Sequence, residues 1–160
     1  PKGVRSRAFR LYGLAHLCAQ SVESHMILRR DVVSNFSDYV NHLEFLGYEV
    51  TEKDERIMAR HSEHFNLTMK RFRGGMLATI YIGTNAYAKS NREGLVSLAN
   101  SLNVEAAAGR YYIDSDGDIV IEGYYPGEYN RKSFSIFMET FNFERSNMLK
   151  IADELRKYVE

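Results

Sequence analysis

The chain has 160 residues, 44% hydrophobic and 26% charged, and its 21 Lys+Arg balance 21 Asp+Glu to a formal net charge of zero. This length and composition fit one globular domain with its own core; two Pro and 11 Gly speak against disorder, and no apolar run approaches the roughly 20 residues of a membrane helix. A lone cysteine, Cys18, excludes an internal disulfide framework and a cysteine zinc cluster, and fits a reducing, cytoplasmic setting.

The neutral total conceals a split. Residues 1–30 carry Lys2, Arg5, Arg7, Arg10, Arg29 and Arg30 against Glu23, a net +5, so residues 31–160 carry −5. An asymmetry of this kind hints at an interacting arm. The expected organisation is therefore a basic amphipathic arm over residues 1–30 and a single α+β domain over 31–160. The chain begins at Pro1 rather than Met, as a processed or excised product would.

Val4, Ala8, Leu11, Ala15, Cys18, Val22 and Met26 recur at helical spacing, interrupted by Gly13, and predict an amino-terminal helix. Such a start also suits a transit peptide or a membrane-surface helix, but its apolar face is weak, which favours an extra docked helix. Ser34 is a suitable cap for a second helix with Phe36, Val40, Leu43 and Leu46 as its buried stripe and Gly47 as its stop. Strands follow over Tyr48–Thr51, Arg56–His61, Phe65–Phe72 and Met76–Gly83, with turns at Lys53-Asp54-Glu55 and Gly74-Gly75. Leu77–Ile82 is apolar on both faces, which predicts a central strand or one covered on both sides. Ser90-Asn91-Arg92-Glu93 reads as a capping box for a helix burying Leu95, Leu98, Ala99 and Leu102. Arg110–Asp114 and Asp118–Tyr125 predict a hairpin about Ser115-Asp116-Gly117. One long helix is expected over Ser133–Val159, about 40 Å if unbroken, with Ile136 and Phe143 on a second apolar strip.

Candidate chemistry is sparse. Asp114-Ser-Asp116-Gly-Asp118 copies the start of a calcium loop, but Ile119 and Tyr125 stand where its glycine and bidentate acid belong. An acidic hairpin tip explains the run more simply. His61 and His64 lack the third ligand that zinc requires, and Cys18 has no activating neighbour in sequence. Lys70-Arg71-Phe72-Arg73 mixes cations with an aromatic ring, as a phosphate or single-strand site would, although strand-end charges commonly guard a hairpin. No catalytic constellation, metal site or cofactor motif emerges, so no enzyme activity is expected.

Leu95-Val-Ser-Leu-Ala-Asn100-Ser-Leu-Asn103, then Ala108-Gly-Arg-Tyr-Tyr-Ile-Asp-Ser-Asp-Gly-Asp-Ile-Val-Ile-Glu122, resembles the YbjN family of candidate bacterial sensory-transduction regulators. The helix ending in Leu46-Gly47-Tyr48 and the long carboxy-terminal helix extend the resemblance over about residues 33–159. The resemblance implies a fold similar to type III secretion chaperones of the CesT/Tir type, α-β-β-β-α-β-β-α with an antiparallel sheet packed by helices. It also implies a homodimer, with contacts near the second helix and adjoining strands. Such proteins are not enzymes; they hold partner segments on apolar patches and sheet edges. The neutral charge and the basic arm depart from the acidic secretion chaperones.

The expected function is thus a protein-binding module, chaperone- or regulator-like. Its candidate partner-binding residues are Tyr39, Phe72, Tyr81, Tyr124, Tyr125, Ile136 and Phe143, large side chains assigned off the core stripes. The alternative is a nucleic-acid or anionic-surface binder using Arg5, Arg7, Arg10, Lys70, Arg71 and Arg73.

Overall fold

The computed structural model describes residues 36–159; the expected amino-terminal helix, the arm with Arg5, Arg7 and Arg10, the Ser34 cap and Cys18 lie outside them. Helix α1 spans Phe36–Phe45. It stops as the glycine predicts: Gly47 takes φ +90°, its N–H donates to the Glu44 carbonyl, and the Tyr48 N–H donates to the Leu43 carbonyl. This is the paired closure that a left-handed residue permits at a helix end.

Four antiparallel strands follow: β1 Glu49–Lys53, β2 Arg56–Arg60, β3 Leu67–Phe72 and β4 Gly75–Ile82. The β1–β2 turn uses Asp54 and Glu55, both at positive φ without glycine. The β3–β4 turn uses Arg73 and Gly74, not the Gly74-Gly75 pair expected. Gly75 is already in the ladder opposite Phe72, where a Cβ would stand 2.2 Å from the Tyr125 carbonyl oxygen. Strand β3 also begins later than expected, because His61–Asn66 closes on itself: His61 Nδ1 accepts the N–H groups of Glu63 and His64, and Asn66 Oδ1 accepts the His61 N–H.

A short helix α2, Ala86–Ser90, precedes α3, Arg92–Glu105. Asn91, not Ser90, caps α3, its Oδ1 accepting from the Gly94 N–H, while the Ser90 hydroxyl donates back to the Tyr87 carbonyl. The buried face of α3 is the expected Leu95, Leu98, Ala99 and Leu102. Strands β5 (Arg110–Ile113) and β6 (Ile119–Tyr125) form the predicted hairpin. Its acids shape the turn: Asp114 Oδ1 accepts the N–H groups of Asp116 and Asp118, and Asp118 Oδ1 accepts from the Thr84 N–H. Helix α4 runs Arg131–Lys150, capped by Asn130, and gives way at Ile151 to a short α5, Ala152–Leu155. The single helix expected over Ser133–Val159 is therefore broken. The tail turns to meet the end of β4, with Val159 bridging Thr84 and Asn85 holding the carbonyls of Lys157, Tyr158 and Val159.

The sheet order is β1-β2-β3-β4-β6-β5, so β4 is interior, as its apolar sequence predicts. The class is the expected α+β with helices against an antiparallel sheet; the first run holds four strands, one more than the schematic order. Strand alternation sends Ile57, Ala59, Leu67, Met69, Met76, Ala78, Ile80, Ile119, Ile121 and Tyr125 into one core with the buried side chains of α1, α3 and α4.

Candidate functional site on the outer face of the sheet

The same alternation turns the other residues of each strand away from that core. Pairing across the sheet sets them in rows. One row reads Lys53, Arg56, Lys70, Leu77 and Tyr124 from β1 to β6; the next reads Thr51, Met58, Thr68, Thr79, Glu122 and Arg110. A third places Tyr81, Val120 and Tyr112 side by side. Met58, Phe72, Tyr81, Tyr112 and Tyr124 are each between 37% and 59% exposed there. Between them on the same rows Leu77, Thr79 and Val120 are buried, so apolar exposure is confined to these five large side chains, which mark a candidate contact surface.

Local contacts fix the rings. Tyr124 meets Phe72 edge-on at 6.2 Å and donates its hydroxyl to the Arg73 carbonyl. The Arg73 guanidinium lies 5.2 Å above the Phe72 ring, and that of Arg110 lies 5.6 Å above Tyr112. Arg110 also pairs with Glu122 directly across the ladder. Burial, and then the Glu122 carboxylate, hold the Tyr112 phenol above its ordinary value, so it stays a neutral donor. Beside these rings runs an open groove of 870 Å³ lined by Phe72, Arg73, Leu77, Arg110, Glu122, Tyr124 and the 107–109 backbone.

That backbone is held from below. Glu144 of α4 is fully buried, and its Oε1 accepts the N–H groups of Ala107, Ala108 and Gly109, each at 2.9 Å. Its Oε2 accepts from the Tyr111 hydroxyl and the Asn147 amide. Burial opposes the charge, but these bonds together outweigh it and hold the carboxyl below its ordinary value.

Of the sequence-predicted partner residues, Phe72, Tyr81 and Tyr124 share this face. Tyr39 and Tyr125 do not; both are buried, correcting the expectation that they lie off the core. Tyr39 sits one turn before Leu43 on α1, and Tyr125 follows Ile119, Ile121 and Gly123 in the inward alternation of β6. Both meet Phe134 edge-on, at 5.1 and 5.3 Å. Ile136 and Phe143 are exposed on α4, in the helical layer and apart from the sheet face. The Lys70–Arg73 run is also divided: Lys70 points outward, Arg73 is in the turn, and Arg71 turns inward with its guanidinium 4.7 Å above Phe36. Met58, Tyr112, Arg56, Arg60 and Arg110 were missed as site residues, although the two-residue period in Arg56–Arg60 and Arg110–Ile113 carries them.

No protein-family description and no curated protein matches the chain. Among solved structures it is similar to YbjN from E. coli, described as a candidate transcription regulator, with a TM-score of 0.63 and 12% identity. The match covers 81% of this chain and 98% of that one. At such low identity the likeness speaks to architecture, and the chain has a YbjN-like α+β fold.

Proposed function

We propose that this chain is a non-enzymatic binding module that holds a segment of a partner protein on the outer face of its sheet. The observation that carries the reading is the group of exposed apolar side chains Met58, Phe72, Tyr81, Tyr112 and Tyr124 on one face. A regulator-like role without catalysis fits the likeness to YbjN. The single cysteine fits action in the cytoplasm. A photo-reactive phenylalanine analogue at position 81 or 124 should crosslink to polypeptide in the native host, while one at the exposed Val104 of α3 should not. Crosslinks to nucleic acid in place of polypeptide, or equal crosslinking from position 104, would overturn the reading.

The same proposal makes the module a homodimer joined through β1, an edge strand. Glu49 and Lys53 lie symmetrically about Thr51, so two copies paired antiparallel about Thr51 set unlike charges opposite each other twice. Glu49→Lys should shift sedimentation equilibrium toward monomer, and Glu49→Lys with Lys53→Glu should restore the dimer. A wild-type chain that remains monomeric at every concentration would remove this claim.

A further inference from the structure

The outer face differs from the rest of the domain in charge. Residues 36–159 carry 15 bases and 18 acids, a net −3, yet the strand positions facing outward carry Lys53, Arg56, Arg60, Lys70 and Arg110 against Glu49 and Glu122. Arg110 and Glu122 neutralise each other. Lys53, Arg56 and Lys70 stand directly opposite one another on three adjacent strands, and none is in a salt bridge with a described carboxylate. Like charges in register destabilise a sheet, so this row is a cost to folding that an anionic ligand would relieve. The row continues past the buried Leu77 to the exposed Tyr124, beside Phe72. At about 4.8 Å between strands it spans roughly 19 Å, the reach of an extended segment of about six residues.

We infer, building on the protein-binding reading above, that the segment held on this face is acidic at one end and apolar at the other. Its carboxylates meet Lys53, Arg56 and Lys70, and its apolar side chains meet the exposed rings of Phe72 and Tyr124. One feature favours a peptide over a single-stranded nucleic acid: Phe72 and Tyr112 already carry a guanidinium over their rings, leaving fewer free faces for bases to stack on.

The test measures fluorescence anisotropy of the full chain with four probes. These are a labelled heptapeptide with three aspartates followed by leucine and tyrosine, the same peptide with serines, the same with lysines, and a dodecathymidine oligonucleotide. The aspartate peptide should bind about tenfold more tightly than the serine peptide at low salt, with the gap closing as salt rises. Arg56→Gln with Lys70→Gln should abolish that gap and leave the far-ultraviolet circular dichroism unchanged. Serine and aspartate peptides binding equally would overturn this inference and leave the protein-binding reading standing. Binding of the oligonucleotide alone would overturn both, and binding of no probe would overturn the inference.

Discussion

Replacing Glu144 with Ala should cost about 3–5 kcal/mol of folding stability, measured as a fall in urea midpoint, because it strands buried donors rather than removing one surface contact. Three backbone N–H groups, the Tyr111 hydroxyl and the Asn147 amide all converge on this carboxylate. Glu144→Gln keeps the shape and one acceptor oxygen, but its amide would face the Asn147 amide donor, so a smaller loss of about 1–3 kcal/mol is expected. The pH dependence separates the two effects. The carboxyl is held below its ordinary value of 4.5 in the folded chain, so the unfolded chain binds a proton first as the pH drops. The stability due to Glu144 is therefore present above about pH 4.5 and is lost as the pH falls through the lower folded value. Wild-type stability should fall over that interval more steeply than that of Glu144→Gln. Equal slopes would show that the carboxylate is not the group responsible.

Phe134→Ala should be about as damaging, costing 3–5 kcal/mol by calorimetry or denaturant titration, with a drop in Tm of about 10–20 °C. The Phe134 ring is fully buried and lies 5.0 to 6.1 Å from the rings of His42, Tyr39, Tyr125, Tyr129 and Phe137. Its removal leaves a cavity among stiff aromatic neighbours, and edge-to-face contacts are lost beyond the transfer energy. His42 cannot easily swing into the space, because its two ring nitrogens are engaged by the Tyr129 hydroxyl and the Ser135 hydroxyl. A loss below 1 kcal/mol would mean that the cluster collapses freely.

Much of the fold was legible in the sequence because local rules and packing agree. Gly47 marks a helix end where only a left-handed residue closes the last carbonyls, and the period of Leu67 and Met69 against Thr68 and Lys70 marks a half-buried strand. The misreadings occur where distant contacts decide. Nothing between Arg131 and Val159 breaks a helix by composition; the interruption at Ile151 follows from the tail docking on Thr84 and Asn85, far away in sequence. Ser90 was a plausible cap until a short preceding helix claimed it. The site was legible only in part. Phe72, Tyr81 and Tyr124 were found as large side chains, whereas the row Lys53, Arg56 and Lys70 exists only once the register is known. Tyr125 was legible and misread: its parity with Ile119 and Ile121 places it inside. For Tyr39 the helical stripe was drawn one position off.

Strand β4 is the seam of the molecule. Before it, each strand pairs with its immediate predecessor, from β1 through β2 and β3. Across it, the chain must return through two helices and a hairpin before Ile82 meets Ile119 and Met76 meets Tyr125. Loop-closure entropy makes that return the costlier pairing, whereas the four-strand meander joins neighbours in sequence. The row from Lys53 to Tyr124 crosses this seam. A ligand seated along it would therefore tie the locally paired strands to the distant one, so occupancy would stabilise the folded chain where its closure is most costly.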